Sequence, residues 1–354
     1  PIHTKLSILE PLVLKLELKK EASFIQFVGS PGRFLWMQNQ HLSIISEAGK
    51  LWILDPIRGK PFFSGQVGSL GDQFGCTKKG SALIVGNPEG HLYQFREDQL
   101  KKIWQGEDPI LGDILVDEKG VIFASPNGNL YGYQFFSSQL VHYNLQGIPL
   151  LHMPSNKENQ FYVAITTGKL FCFDPELFLN NPKEAIIWKW NLQQEGSPQY
   201  GLFLIPQDGD NLLILVYPNG QILGLSDKQK QILWRQNLKS PILREPVLVG
   251  NHLLVLGKEN ILYNIHGREG SLLWKKEFSK SLLGRPGWGK YIYVGIQDTG
   301  KGDYIQSALL ALDKKTGQIV WKNRILGHII SPIVVSQGKI YFSSTEGYVY
   351  CIKE

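Results

Sequence analysis

Short apolar runs, most of them strand length, alternate along this chain with polar pairs that contain glycine. Near the C-terminus the pattern is plainest: Ser331-Pro332-Ile333-Val334-Val335, Lys339-Ile340-Tyr341-Phe342 and Tyr348-Val349-Tyr350-Cys351-Ile352 are divided by Gln337-Gly338 and Glu346-Gly347. β-Branched and aromatic runs of this length favour strands, and a glycine between them supplies the positive φ of a tight hairpin. A meander of antiparallel strands is therefore predicted.

One signature strand recurs eight times, with Gly or a small polar residue two positions before an aliphatic residue that is followed by an aromatic residue or Leu. The copies are Gly49–Trp52, Gly90–Tyr93, Gly128–Tyr131, Gly168–Phe171, Gly220–Leu223, Asn260–Tyr263, Ser307–Leu310 and Gly347–Tyr350, and their last residues are 41, 38, 40, 52, 40, 47 and 40 positions apart. Such a period belongs to propellers and other repeat arrays. A second regularity places a large flat residue eleven positions after the signature in Trp104, Trp234, Trp274 and Trp321, with Phe63 and His142 at the same offset. Trp188 follows six residues later than this, after a loop Asp174–Pro182. These positions predict an outer strand in each repeat, and the tryptophans read as packing between neighbouring sheets.

The last repeat stops four residues past Tyr350, without room for its outer strand. Spare strand material lies at the other end, in Leu12–Leu18 and in Phe24–Val28, and Phe24 has the better spacing. The expectation is an all-β, eight-bladed β-propeller of four-stranded antiparallel blades, closed by an N-terminal strand that completes the C-terminal blade. The whole chain, 1–354, reads as one domain, with 1–22 an N-terminal extension or extra edge strand.

Composition adds little to this frame. With 43% hydrophobic and 19% charged residues, 37 Gly and 19 Pro, the chain is ordinary for a turn-rich globular protein. The formal charge of +6 is spread over dispersed residues, with no basic run beyond pairs such as Lys19-Lys20, so nucleic acid is not an expected partner. No apolar run approaches the roughly 20 residues of a membrane-spanning helix. The start at Pro1, with no Met and no apolar signal core, reads as a processed form whose upstream anchor would be out of view. Cys76, Cys172 and Cys351 are widely spaced, and the last two read as buried free thiols.

Catalytic signatures are missing: there is no His-Glu-x-x-His, Gly-x-Ser-x-Gly, Walker loop or dinucleotide fingerprint. Gly65, Gly68 and Gly71 read as a flexible connection between blades, and Ser336-Gln337-Gly338-Lys339 as a hairpin. Asp208–Asn211 and Asp298–Asp303 are acidic enough for Ca²⁺, yet read better as polar hairpin tips. No metal or cofactor is expected. Two candidate contact regions remain. Arg244, Glu245 and Arg285, aligned with Ser331-Pro332 at the start of innermost strands, would form a partly cationic funnel mouth with His328, or a salt-bridged rim without a ligand. Phe135, Phe136 and Trp288 stand where exposed aromatic loop contacts to a partner are expected, with packing between blades as the competing reading.

The segment Leu309-Leu310-Ala311-Leu312-Asp313-Lys314-Lys315-Thr316-Gly317-Gln318-Ile319-Val320-Trp321 resembles the repeat of the PQQ-type β-propellers. Degraded copies are Leu51–Asp55 with Gly59, and Leu262–Ile265 with Gly270 and Trp274. In the quinoprotein dehydrogenases of that family the funnel holds pyrroloquinoline quinone and Ca²⁺, often beside adjacent cysteines, which this chain lacks. The non-catalytic branch, similar to the outer-membrane assembly lipoprotein BamB, keeps the repeat as scaffold. That branch implies a non-enzymatic monomeric scaffold that contacts protein partners outside the cytoplasm, at the periplasm or outer membrane. A quinoprotein-type dehydrogenase and a glycan- or anion-binding propeller are the alternatives.

Overall fold

The computed structural model describes residues 22–38, 40–69, 74–77, 83–110, 112–150, 152–156, 159–207, 209–298 and 305–354. The expected strand material Leu12–Leu18, Gly71, Asp208 and the segment 299–303 named above lie outside the described residues. The chain is all-β, and its packing divides it into two compact units, Pro1–Asp72 with Glu259–Leu262 and Trp274–Glu354, and Gln73–Lys258 with Tyr263–Leu273.

The first unit contains three four-stranded antiparallel meanders. One runs through Gly32–Gln38, His41–Ser46, Lys50–Leu54 and Pro61–Gln66, and another through Leu282–Trp288, Ile292–Gln297, Ile305–Leu312 and Ile319–Leu326. In the third, Val334–Ser336, Lys339–Ser343 and Tyr348–Lys353 are joined by Ala22–Phe27 from the opposite end of the sequence. Ile25 stands opposite Tyr350 and Phe27 opposite Tyr348, so the N-terminal strand is the outer strand that the last repeat lacks. Backbone N–H and C=O groups of Tyr348–Lys353 thereby gain partners on both sides.

In the second unit, Leu202–Ile205, Leu212–Val216, Gln221–Ser226 and Gln231–Asn237 form one meander, and Phe161–Ala164, Lys169–Phe173 and Ile186–Asn191 form a three-stranded sheet. Two further meanders, Gly75–Thr77 to Gln99–Gln105 and Gly112–Val116 to Leu140–Asn144, merge into one eight-stranded sheet. Their first strands pair in parallel, Gly75 with Gly112, Cys76 with Asp113 and Thr77 with Ile114. A last meander, Val247–Val249, His252–Gly257, Ile261–His266 and Leu272–Glu277, has residues in both units.

Seven of the eight signatures lie on the third strand of a meander, and the one at Gly168 lies on the middle strand of the three-stranded sheet. Their leading glycines at 49, 90, 128, 168, 220 and 347 have φ between 69° and 93°, and Asn260, which replaces glycine, sits at 59°. Asparagine tolerates this region better than other side chains, which explains why the substitution keeps the turn. At Gly49 a Cβ would also lie 2.4 Å from the Gly68 carbonyl oxygen, so the following connection closes directly over the turn.

At three junctions a turn is fastened to the aromatic ring of the preceding repeat. Asp313 accepts hydrogen bonds from the Lys315 and Thr316 amides and from Thr316 Oγ1, and Trp274 Nε1 donates to the Lys314 carbonyl at 2.8 Å. Hydrogen bonding from the Thr316 amide holds the Asp313 carboxyl below its ordinary range. The adjoining Gly317 lies against the Trp274 ring, as Gly270 does against Trp234 and Gly59 against Phe24. Phe24 thus occupies in the last sheet the place that tryptophan occupies in others.

Two local expectations change. The insert before Trp188 is not a loop but a helix, Pro175–Asn180: Asp174 caps it by accepting from the Leu177 amide, and Pro175 suits its first turn. Gly65 is not in a connection but within the outer strand Pro61–Gln66, opposite Leu51. Gln337 and Gly338 make the anticipated hairpin, with φ of 49° and 69°. Cys172 and Cys351 are buried cysteines, and desolvation pushes the Cys351 thiol above its usual range.

The cores are layers between sheets. Ile325, Ile329, Ile340, Phe342 and Tyr350 form one such layer in the first unit, with Trp321 packed against it. Asn323 is only 1% exposed, and neither side-chain amide atom has a hydrogen-bond partner among the described residues. A buried amide left unmatched costs more than an apolar group of similar volume. Asn323→Leu is expected to raise stability by about 1 kcal/mol, read by equilibrium denaturation; a loss of stability would show that the amide is matched in solution.

Candidate functional site

The repeat accounts for packing, so a site is sought among side chains it does not encode. A strand and two strand-flanking segments of the second unit supply one such group. Asp113 lies on Gly112–Val116, held in place by the parallel pairing that sets it beside Cys76. Close packing at this junction depends on glycine, because a Cβ on Gly86 would fall 2.3 Å from Ile110.

His152 occupies the segment that leads into the next sheet, and its Nδ1 lies 3.0 Å from Asp113 Oδ2. The Met153 amide donates to the same carboxylate oxygen at 3.4 Å. On the other side of the ring, Nε2 contacts Oε1 of Glu245, which precedes the strand Val247–Val249. Phe203, from Leu202–Ile205, covers the imidazole with ring centroids 5.3 Å apart. All three polar side chains are largely withdrawn from water, with 13–16% exposure. The imidazole thus ties together segments belonging to four successive stretches of chain.

Sequence reasoning singled out Glu245 but not His152 or Asp113. Neither missed residue belongs to a motif; the available signal was a lone polar residue at the start of an inner strand. Arg244 adjoins Glu245 in the second unit. Arg285 and His328 belong to the first unit. Arg285 lies within Leu282–Trp288, and its carbonyl accepts from the Ile333 amide at 3.1 Å, beside a parallel bridge to Pro332. His328 donates its backbone N–H to Thr345 Oγ1 at 2.9 Å.

The aromatic candidates separate. Phe136 is 92% exposed in the turn after Asn129–Gln134, whereas its neighbour Phe135 packs against the core around Phe123 and Tyr133. Trp288 is not a loop residue: it ends the strand Leu282–Trp288, is half-buried, and has Lys314 Nζ 4.4 Å from its ring centroid. The helix Pro175–Asn180 docks beside the Phe136 turn, where Gln134 Nε2 donates to the Leu179 carbonyl at 2.7 Å and Lys119 pairs with Glu176 at 3.2 Å. Leu177 on that helix is 49% exposed.

Trp104, Trp188, Trp234, Trp274 and Trp321 lie along the last strands of their sheets. Trp104 contacts Phe123 and Tyr131 of the following meander, and Trp188 has Lys230 Nζ 3.5 Å from its ring centroid. Trp234 and Trp274 meet the turn glycines already described, while Trp321 joins the layer around Phe342.

The acidic loops are engaged with donors. Asp210 accepts from Ser226 Oγ and the Lys228 amide, and Asp298 pairs with Lys322 and Arg324. Among the described residues, no His, Cys, Asp and Glu side chains are grouped to hold a metal ion. No helix among them is long and apolar enough to cross a membrane.

The resemblance to the PQQ-like repeat family is borne out by comparison with known proteins. A family model described as outer membrane protein assembly factor BamB matches residues 178–352. Outer membrane protein assembly factor BamB of Yersinia pestis is 21% identical over 298 residues, covering 80% of this chain and 69% of the relative. The crystal structure of BamB from Moraxella catarrhalis superposes with a TM-score of 0.68 at 15% identity, covering 94% of this chain and 100% of that one. Saccharomyces cerevisiae Sqt1 reaches a TM-score of 0.71 at 10% identity, covering 95% and 100% of the two chains. The computationally designed Ika8 protein reaches 0.68 at 12% identity, covering 96% and 98%. Likenesses this distant in sequence concern the fold, which is that of a BamB-like β-propeller.

Proposed function

We propose that this chain is a non-enzymatic scaffold of the BamB type, a single eight-bladed ring closed by Ala22–Phe27. It would act outside the cytoplasm through contacts with protein partners in outer membrane protein assembly. The observation that carries the reading is the agreement of a BamB family match over residues 178–352 with a BamB-like fold over almost the whole chain. A rigid sheet scaffold can present its turns as a contact surface at little cost in ordering. The site favoured for that contact is the Phe136 turn with the neighbouring helix, because a nearly fully exposed phenylalanine stands beside an insert that departs from the repeat.

Phe136→Glu is expected to weaken partner capture at least about tenfold, equivalent to roughly 1.4 kcal/mol, without moving the melting temperature. Photo-crosslinking from position 136 in envelope extracts, followed by affinity measurement on the captured protein, checks both points. Undiminished affinity in the variant would remove Phe136 from the interface, whereas turnover of an alcohol or sugar by the purified protein with added quinone and Ca²⁺ would overturn the scaffold reading itself.

A further inference from the structure

The geometry points to a proton-operated clasp at Asp113, His152 and Glu245, in which a doubly protonated His152 holds the inner segments of the second unit together. A neutral imidazole carries one N–H and one lone pair, and can donate to only one carboxylate. Here both ring nitrogens face carboxylate oxygens, Nδ1 toward Asp113 at 3.0 Å and Nε2 toward Glu245. With one proton lost, a nitrogen lone pair would be set against a carboxylate in a site largely closed to water. With both carboxyls ionised, only the imidazolium satisfies both contacts.

The surroundings reinforce the constraint. Asp113 is fixed by the parallel pairing of its strand and by the Met153 amide, so it cannot readily withdraw from the ring. Phe203 lies against the imidazole from a third element and contributes no ionisable group. Gly201, at φ 118°, leaves room for that stacking, since a Cβ there would lie 2.9 Å from the Phe203 ring and 3.1 Å from His152 Cδ2. Among the described residues, the titratable and charged groups of these elements include Asp113 and Glu245 on the ring, Cys76 opposite Asp113 in the pairing, and Arg244 next to Glu245.

The sign follows from the donors. The clasp stabilises the unit while His152 is charged and is lost as rising pH removes the proton, so the inner segments loosen on the alkaline side. At low pH the carboxylates are protonated in turn, which bounds the window from below. The clasp is independent of any protein partner and operates in the isolated chain.

Selective ¹⁵N-histidine NMR and thermal melts of the full chain test it. At about pH 6, near the ordinary histidine range, both His152 nitrogens should be protonated, and raising the pH toward about 9 should lower the melting temperature by about 2–4 °C. His152→Gln, which cannot be charged, should abolish that slope; Glu245→Gln, the milder variant should the first fail to fold, should shrink it. A singly protonated His152 at pH 6, or pH profiles of wild type and either folded variant that run parallel, would overturn the clasp.

Discussion

Trp274→Ala is expected to lower the free energy of unfolding by about 3–5 kcal/mol, the cost of deleting a large buried aromatic without collapse of its site. Trp274 is 9% exposed, and its indole N–H is matched by the Lys314 carbonyl at 2.8 Å. The turn beneath it cannot close the cavity, because Asp313 is tied to two amides and a hydroxyl of the same turn. Gly317 makes the argument sharper. Its φ of 68° and the 2.7 Å approach of a virtual Cβ to the Trp274 ring make Gly317→Ala destabilising in its own right. In a Trp274→Ala background the steric part disappears, so the two losses should be sub-additive. Denaturant titration of both single variants and the double variant measures this, and simple additivity would mean that the ring and the turn are not in contact in solution.

Tyr162→Phe should cost about 1.5–3 kcal/mol, the range for a buried hydrogen bond to a charged partner. The Tyr162 hydroxyl donates to Asp227 Oδ2 at 2.5 Å and accepts from Asn156 Nδ2 at 3.0 Å, with Tyr162 fully buried and Asp227 8% exposed. Burial first, and then the Asp227 carboxylate, push the phenol far above its ordinary range, so it remains a donor throughout the accessible pH range. Removing the hydroxyl leaves Asp227 Oδ2 with Asn211 at 3.4 Å, a poor substitute. Lys230, which pairs with the other oxygen at 3.1 Å, also lies over Trp188, so its movement toward Asp227 would disturb the adjoining layer. Equilibrium unfolding of the variant with an unchanged midpoint would show that the network is replaced by water at no cost.

Most strands were legible because the same constraints recur. A glycine, or Asn260, is required where φ is positive before each signature strand other than that at Ser307, and a flat side chain is required where the next repeat's turn closes over the outer strand. Phe24 could be recognised as the outer strand of the last sheet for this reason, and its ring meets Gly59 as Trp274 meets Gly317. The helix Pro175–Asn180 was less visible. Its six residues are too short for an amphipathic period, although Asp174-Pro175 is in retrospect a capping signal. Trp288 was misplaced because flanking glycines suggested a turn, whereas Gly287 lies in the strand against Ile333, where a Cβ would come within 2.7 Å.

The candidate site divides along the same line. Local periodicity, turn residues and the outer-strand aromatics are set by neighbours within one or two repeats, and the order of residues alone determined them. The meeting of Asp113, His152 and Glu245 joins positions 39 residues apart on one side and far more on the other, with no shared motif. Only the tertiary structure decided that contact, because it brings together three segments distant in sequence, and their approach depends on the packing of whole sheets rather than on any short run of sequence.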